Sequence, residues 1–301
     1  MEATPVKPME PVLAHEIDDS PERLYQVKWD GVRLLACKNG EQVRLFNRKG
    51  REKTATYPEL VSVVKTLPVQ SVVLDGEVIA IREGKPDFFH VMKRDSVSRA
   101  GKVLAAFIPV HYMVFDLLFM DGHWVLDEPL TQRIDRLSPL FTDRTSDTIQ
   151  LCDSVEDGYA LWEATRKKGW EGIVSKEKKG LYYVGRKHPT WQKIKHFRHL
   201  TARVAGVTFR GKWVNALLLA VEDAGQWIYI GRAGSGLNDR ERELITRWVP
   251  QVRKIKPSVI NPPLLKGVTW VEPILPVKVQ YLEWTPDATL RSPSIRGFEL
   301  P

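Results

Sequence analysis

Polar and apolar residues alternate along several short segments in the first half of the chain. Leu24 to Lys28 and Val43 to Phe46 both show this alternation, which is typical of strands with one buried face. Ser71 to Ile81 and Met113 to Leu118 are more continuously apolar, as expected of strands inside a sheet core. The pattern therefore predicts a first half that is rich in β-sheet.

A different spacing predicts helices and turns. Between Pro58 and Leu67 the apolar residues fall at positions 60, 61, 63, 64 and 67, which places them on one face of a helix. Ser154 followed by Asp157 resembles a helix-capping box, and Gly169 is suited to end the helix that follows. Two dipeptides carry the signal of a β-hairpin turn: Asn39-Gly40 and Asp121-Gly122.

The chain from Leu200 onward predicts a second, smaller domain. Residues 202–209, 214–222 and 226–232 read as successive strands, Asn238 to Val249 reads as a helix, and 268–284 adds further strands. Short strands with a single helix fit an OB-type β-barrel. We therefore predict an α+β chain with two domains, residues 1–197 and 198–301.

The amino-acid composition indicates what kind of partner the protein binds and in which cellular compartment it is expected. Lys and Arg number 45 against 37 acidic residues, for a net charge of +8 and a pI near 9.4, which favours a polyanionic partner. Cys37 and Cys152 stand in no metal-like spacing, so a reducing cytoplasm is expected rather than a disulfide framework. The N-terminal segment lacks the apolar core of a signal peptide, and no run is long enough for a membrane span.

The segment Lys28-Trp29-Asp30-Gly31-Val32-Arg33 has the form Lys-x-Asp-Gly-x-Arg and ends a predicted strand. A lysine at such a place can be held still against a phosphate and attack phosphorus once it loses its proton. Its ordinary pKa is about 10.4, so we expect nearby cations or burial to lower that pKa. By itself the segment is also compatible with a charged strand-turn-strand.

Further charged clusters follow in a fixed order, each at the end of a predicted strand. Two of them carry a physical signal of their own: the carboxylates beside Gly76 interrupt an apolar run, and Lys193 and Lys195 share one strand face, where an anion between them would relieve their repulsion. The clusters are Asn47-Arg48-Lys49-Gly50, Leu74-Asp75-Gly76-Glu77-Val78, Met113 to Leu118 with Phe115 and Asp116, Glu171 to Lys176, and Trp191 to Lys195.

The order and spacing of these clusters resemble the covalent nucleotidyltransferases, which are ATP-dependent DNA ligases, RNA ligases and mRNA capping enzymes, and match the DNA ligase pattern best. The resemblance implies an ATP-grasp-like adenylation domain of antiparallel sheets with flanking helices over residues 1–197, and an OB-fold domain over 198–301. In the second domain, Tyr229 to Gly236 and Glu283 to Gly297 are similar to the ligase module of bacterial end-joining ligases, which act with the end-binding protein Ku.

The resemblance also implies roles for individual residues. Lys28 is similar to the nucleophile that becomes adenylated, and Phe115 to the aromatic residue that stacks on adenine. Arg33 and Arg48 resemble contacts to the nucleotide ribose and to a DNA phosphate. Gln26 stands where the family usually has Glu facing the adenine amino group, and its amide oxygen can accept the same hydrogen bond.

The remaining roles concern the phosphates and the metal. Glu77 resembles the acid near the ribose and the metal, and Glu171 the acid that positions the divalent metal. Lys193 and Lys195 resemble the pair that holds the α-phosphate. Further candidates are Val27 in the nucleotide pocket and, with weaker support, Asp30, Asp75, Arg186, Arg291 and Arg296, of which the last two are the nearest to a pyrophosphate contact.

The implied reaction uses ATP and Mg²⁺ or Mn²⁺ to seal nicked or broken duplex DNA, by a monomer with Ku as a partner and with no membrane. Only 27 residues precede Lys28, which favours ATP over NAD as the donor. Two alternatives remain open. An RNA ligase or capping enzyme would share the first clusters, and acceptance of GTP would favour it. A non-catalytic OB-type nucleic-acid-binding protein would form no adduct with ATP.

Overall fold

The computed structural model of this chain describes residues 1–97, 101–141 and 146–298. The chain divides into two compact units, Met1–Lys195 and His196–Pro301. The strands of the first unit are β1 Glu10–Leu13, β2 Arg23–Val27, β3 Val32–Asn39, β4 Gln42–Asn47, β5 Ser71–Ile79, β6 Ile81–Arg82, β7 Lys85–Pro86, β8 His111–Met120, β9 His123–Trp124, β10 Ile149–Leu151, β11 Gly172–Glu177 and β12 Lys187–Lys195. Its helices are α1 Pro58–Lys65, α2 Phe88–Asp95, α3 Gly101–Phe107, α4 Leu130–Leu137 and α5 Gly158–Lys168, with a 3₁₀ turn at Ser138–Phe141.

The strands of the first unit form two principal sheets. The six-stranded sheet has the order β10-β8-β5-β3-β4, with β9 paired to β8, and the four-stranded sheet has the order β1-β12-β11-β2. Only β10 with β8 and β1 with β12 are parallel among the strand pairs of the described residues of this unit. The predicted α+β class, dominated by antiparallel sheets with flanking helices, is confirmed.

A main hydrophobic core stabilises the six-stranded sheet. Leu34, Leu74 and Val114 are fully buried on its central strands, and α1 covers them with its own buried residues, Leu60 and Val64. Burial of such side chains contributes about 1.5 to 3 kcal/mol each. The predicted helix at 58–67 is confirmed, and proline in its first turn fits because that turn has no use for the missing N–H.

The predicted turns are confirmed, whereas the capping box is not. Gly40 has φ 54° at the β3–β4 turn, and Gly169 has φ 68° where it ends α5, both in the left-handed region that glycine adopts without strain. The N-cap of α5 is Asp157, whose side chain accepts a hydrogen bond from the Ala160 backbone N–H at 2.8 Å. Ser154 was wrongly predicted to cap this helix: its hydroxyl accepts a bond from the Gln26 side chain instead, at 2.9 Å.

Two buried arginine–aspartate pairs lie across the centre of the six-stranded sheet. Asp75 and Asp116 face each other in the β5–β8 register, and both are fully buried. Arg33 binds Asp75 through two bonds of 2.5 Å, and Arg133 of α4 binds Asp116 through bonds of 2.7 and 2.9 Å. Because the carboxylates are adjacent, each needs its own guanidinium to remain charged away from water.

The second unit is one seven-stranded antiparallel sheet with a single helix among its described residues. The sheet has the order β15-β14-β13-β17-β16, with β18 paired to both β13 and β19. These elements are β13 Arg198–Arg210, β14 Trp213–Asp223, β15 Gln226–Ala233, α6 Asp239–Val252, β16 Arg253–Lys254, β17 Val268–Val271, β18 Pro276–Tyr281 and β19 Ser294–Phe298. The predicted strands and helix of this half are confirmed, and Asn238 with Glu241 forms a reciprocal capping box at the start of α6.

Within the described ranges, every helix is too short or too polar to cross a lipid bilayer.

Candidate active site

The strand register of the four-stranded sheet brings several of the predicted site residues close together. Strand β11 lies between β2 and β12 and runs antiparallel to both. One row across these strands aligns Gln26, Val174 and Lys193, and the row two residues away along β11 sets Gly172 opposite Lys195. Residues in one row, and residues two apart along a strand, point to the same face of a sheet. The two lysines predicted to bind the α-phosphate and the residue predicted to face the adenine therefore share one surface.

Lys28 and Lys195 meet at a single carboxylate, that of Glu171. The Lys28 ammonium lies 2.5 Å from Glu171 Oε2, and the Lys195 ammonium lies 2.6 Å from Glu171 Oε1. The backbone N–H of Lys28 also donates to the carbonyl of Gly172 at 2.9 Å. Gly172 has φ 147°, and a Cβ atom there would lie 2.1 Å from the Ile194 carbonyl oxygen. Only glycine thus allows β11 and β12 to approach closely enough for this arrangement.

The charges around Lys28 act differently from what the sequence predicted. Burial lowers the pKa of Lys28, but the carboxylates of Glu171 and Glu77 outweigh burial, so that its pKa stands above the ordinary value. The expectation that the pKa of Lys28 is lowered was wrong as far as the side chains of the protein are concerned. The reason is the direct ion pair between Glu171 and Lys28. Lys193 takes no part in the ion pairs found among the described residues, and burial together with Lys195 and Lys28 lowers its pKa. Lys28, Lys193 and Lys195 form a cluster of amines, and their mutual repulsion favours binding of an anion beside Lys193.

Glu77 lies across from this cluster on β5, opposite Arg33 in the β3–β5 register. Burial raises its pKa to about 7; Lys28 and Arg33 counteract that rise, while the neighbouring carboxylates of Glu171 and Asp30 add to it. A divalent cation would relieve this repulsion. No group of three or more His, Cys, Asp or Glu side chains able to hold a metal occurs in the parts of the chain that the structure describes. Glu77 and Glu171 are the carboxylates of the predicted site that could hold a divalent cation.

Phe115 lies at a β-bulge that faces the site. Gly76 pairs with Val114 and Asp75 pairs with Asp116, so that Phe115 is an extra residue in β8. Such bulges redirect a side chain and are frequent beside active sites. The guanidinium carbon of Arg33 lies 4.6 Å from the centre of the Phe115 ring, while Arg33 Nε and Nη2 bind Asp75. The structure thus brings Phe115 and Arg33 together, with Asp75 as the residue that orients Arg33.

The structure also describes three other predicted residues of the first unit, and it places none of them in the ion pairs of Glu171. Arg48 follows β4, is 56% exposed and makes a 3.6 Å ion pair with Glu10. Arg186 is exposed just before β12 and is held through its backbone. Val27 occupies the end of β2, opposite Ile173 of β11.

Arg291 and Arg296 belong to the second unit, where both have protein partners. Arg291 makes a 2.6 Å ion pair with Glu283, and Arg296 donates to the side-chain oxygen of Gln280 at 2.7 Å. Their proposed contact with pyrophosphate stays a prediction.

Several aromatic and basic residues of the site were given no role by the sequence analysis. Trp29 follows Lys28 and Trp170 precedes Glu171, and their rings pack 5.1 Å apart, which flanks the ion pair with apolar surface. Lys176 is almost fully buried directly opposite Trp191. The sequence offered one signal for Lys176. It lies two residues from Val174, and this spacing places both side chains on the face of β11 that carries the site.

Comparison with known proteins agrees with this geometry. A family model described as "ATP dependent DNA ligase domain" matches residues 1–195, and one described as "ATP dependent DNA ligase C terminal region" matches residues 210–299. The chain is 33% identical over 282 residues to the "Multifunctional non-homologous end joining DNA repair protein LigD" of Mycobacterium tuberculosis, covering 91% of this chain and 35% of that protein. It is also 33% identical over 250 residues to a "Probable DNA ligase" of Sorangium cellulosum, covering 78% of this chain and 47% of that protein. The chain thus spans between about a third and a half of these relatives.

Two solved structures share the fold over nearly the whole chain. One is titled "mycobacterial DNA ligase D complexed with ATP and MES"; it is 30% identical with a TM-score of 0.58, covering 98% of this chain and 95% of that one. The other is the ligase domain of LigD from M. tuberculosis, 29% identical with a TM-score of 0.56 and the same coverage. The chain belongs to the ATP-dependent DNA ligase family.

Proposed function

We propose that this chain seals breaks in duplex DNA in three steps through a covalent lysine–AMP intermediate on Lys28. The observation that carries the proposal is the arrangement in which Glu171 bridges Lys28 and Lys195, with Lys193 on the same face of the sheet. ATP is the nucleotide that this family uses, and one relative was solved in complex with it. We further propose that the first unit is the adenylation domain and the second the OB domain, as the sequence analysis expected.

In the first step the neutral amine of Lys28 attacks the α-phosphorus of ATP. A nitrogen–phosphorus bond forms, the bond to the β-phosphate oxygen breaks, and pyrophosphate leaves. Lys193 and Lys195 face the same surface and stabilise the negative charge that grows on the α-phosphate. Glu171 holds Lys28 in place before the reaction and must release it so that the amine can lose its proton.

A divalent metal bound between the phosphates and the carboxylates of Glu77 and Glu171 would neutralise charge on the leaving pyrophosphate. The raised pKa of Glu77 supports this assignment, because burial, with a smaller effect of neighbouring carboxylates, disfavours its charged form, which a nearby cation would favour. Since both oxygens of Glu171 are bound to lysines, it can turn to a metal only as those ion pairs loosen. The proposal therefore requires that the ion pairs of Glu171 loosen before Lys28 reacts.

The later steps move AMP to DNA. An oxygen of the 5′-phosphate at a break attacks the phosphorus of the lysine–AMP bond, and Lys28 leaves as an amine. The 3′-hydroxyl then attacks the 5′-phosphorus, AMP leaves, and the strand is closed. The excess of basic residues suits a duplex DNA substrate.

The test of this function is transfer of label from α-labelled ATP to the protein and then to a nick. Lys28→Ala should abolish the protein–AMP adduct, an alkali-stable and acid-labile phosphoramidate, because the nucleophile is gone. Lys28→Arg should be equally inactive, since a guanidinium stays protonated. Lys65→Ala is the matched control, because Lys65 lies on α1 in a half-exposed ion pair with Glu41. An adduct of normal yield in either Lys28 variant would refute the assignment.

A chase with different acceptors then identifies the substrate. Loss of label to a nicked DNA duplex, with closure of the strand, is the expected outcome. Adduct formation from GTP, or transfer only to RNA strands, would favour the alternative enzymes of the superfamily. Comparison of nicks with double-strand ends, with and without Ku, tests the end-joining role and the partner.

A further inference from the structure

Lys176 on β11 is a buried lysine that the ligation steps leave without a role. Its exposed fraction is 2%, and no carboxylate lies within ion-pair distance of it in the ranges that the structure describes. Lysine is almost never buried without a partner. Its ammonium instead donates to the backbone carbonyl of Phe115, with an Nζ–O distance of 3.2 Å.

That carbonyl belongs to the bulged residue of β8. A bulge disrupts the local ladder of strand hydrogen bonds, and the Lys176 ammonium supplies a donor at this place. The bond joins the four-stranded sheet to the six-stranded sheet across 61 residues of sequence. It therefore fixes the backbone from which the Phe115 ring projects.

The same ammonium also contacts the aromatic side chains. Lys176 Nζ lies 4.1 Å from the Trp191 ring centre and 4.6 Å from that of Phe115. The two rings meet edge to face, with centroids 6.0 Å apart and planes at 82°. A desolvated cation on two rings is held by the negative potential of their faces, which in turn restrains the rings.

We propose that Lys176 is a positioning residue for the nucleotide, because its ammonium locks the Phe115 bulge and the Phe115–Trp191 pair and thereby fixes the aromatic surface on which the base stacks. The inference rests on one part of the proposed function, namely that the adenine of ATP stacks on Phe115. It adds a residue that never touches ATP and acts through Phe115. Burial lowers the pKa of Lys176 to about 8, although the more distant carboxylates of Asp116 and Asp75 oppose that shift.

The variant that tests this role is Lys176→Met, which keeps the length and the apolar stem but removes the charge and the donor. The apparent KM for ATP in adenylation should rise about tenfold, while kcat at saturating ATP stays within about twofold, since the loss affects binding of substrate and transition state alike. Lys176→Arg retains a cationic donor and should restore most of the affinity. A general loss of structure would lower kcat and would not be rescued by arginine.

Lys38→Met is the matched control. Lys38 is also buried, and its ammonium donates to the backbone carbonyls of Lys65 and Leu67 at 2.8 and 2.6 Å, away from the site. Its removal should lower the melting temperature and leave the KM for ATP unchanged. An unchanged KM in Lys176→Met, or an equal rise in Lys38→Met, would overturn the proposal.

The experiment also distinguishes two other results: a variant that does not fold, and a protein that forms no adduct with ATP. If Lys176→Met does not fold, Lys176→Gln, which keeps a donor but no charge, takes its place: a raised KM supports the role of the cation, and an unchanged KM refutes it. If the unmodified protein forms no adduct with ATP, the proposed function itself fails. If it forms the adduct and the Lys176 variants match it in KM, only the positioning role fails.

Discussion

At the scale of the residue, the site is controlled by one carboxylate. Glu171 binds Lys28, the proposed nucleophile, through one oxygen and Lys195, a proposed phosphate ligand, through the other, and it is nearly inaccessible to solvent. The pKa of Glu171 itself is lowered: burial opposes this, but Lys28 and Lys195 prevail. Glu171 and Lys28 therefore remain charged together, and Lys28 is held as an ammonium, the form that cannot attack phosphorus.

This predicts a particular pH dependence of adenylation. The value of kcat/KM for ATP reports the ionisation of the free enzyme. Because the pKa of Lys28 is raised, only its small neutral fraction reacts near neutrality, and kcat/KM should increase with a slope near tenfold per pH unit from about pH 7.5. Below that pH the titration of Glu77, with a pKa of about 7, adds a second break. The slope should lessen above about pH 8, where Lys176, with a pKa of about 8, loses the charge proposed to position Phe115.

The measurement is single-turnover adduct formation at low ATP across a pH series. Glu77→Gln should remove the break near pH 7 and leave the rise above it. Glu83→Gln, at an exposed side chain, should leave the profile unchanged and serves as its control. A plateau that begins below pH 8 in the unmodified protein would contradict the pairing of Lys28 with Glu171.

At the scale of the element, the two buried arginine–aspartate pairs connect strands and helices of the first unit. Arg133 of α4 is fully buried, binds Asp116 on β8 and also donates to the carbonyls of Glu128 and Gly180. Its removal would leave a charged carboxylate in the core without a partner. Arg136 on the same helix is 54% exposed and makes one ion pair, with Glu128 at 2.8 Å.

These positions form a natural pair for a stability test. Arg133→Met should lower the free energy of unfolding by about 3 to 5 kcal/mol, because a buried carboxylate is left unpaired. Arg136→Met should lower it by less than about 1 kcal/mol, since a surface ion pair contributes little. Denaturant titration of both variants gives the two values. Similar small losses for both would show that Asp116 is not held as a buried charge.

Local patterns predicted the strands well, and contacts distant in sequence account for what they missed. Alternation correctly placed Lys193 and Lys195 on one face, because that face follows from the strand period alone. The extra residue at Phe115 depends on how β8 pairs with β5, and Ser154 serves Gln26, 128 residues away, rather than the adjacent helix. The partner of Lys28 is likewise 143 residues distant, so the sign of its pKa shift could not be read from its neighbours in sequence.

At the scale of the whole molecule, the chain combines a proposed nucleotide site in the first unit with a strongly basic composition. The net charge is +8 over 301 residues. Duplex DNA binds such a protein largely by releasing counterions, whereas ATP binds to a few fixed groups in the first unit. The two substrates should therefore respond differently to salt.

The corresponding prediction concerns affinity for a nick. Between about 50 and 200 mM salt the dissociation constant for nicked DNA should rise by orders of magnitude, if the protein makes several phosphate contacts. The rate of adenylation at saturating ATP should change only a few-fold over the same range. Fluorescence anisotropy of a labelled nicked duplex and single-turnover adduct formation give the two quantities. Nick binding that is insensitive to salt would show that the basic residues do not contact DNA phosphates.

The close approach of β11 and β12 at Gly172 limits how this site can change. Every replacement there would place a Cβ against the Ile194 carbonyl, which belongs to backbone and cannot move aside as a side chain could. The strands would have to separate, and Glu171 would no longer reach both Lys28 and Lys195. In a selection from a library randomised at this codon, glycine should be the only residue recovered, and attempts to alter nucleotide choice by design should leave this codon untouched.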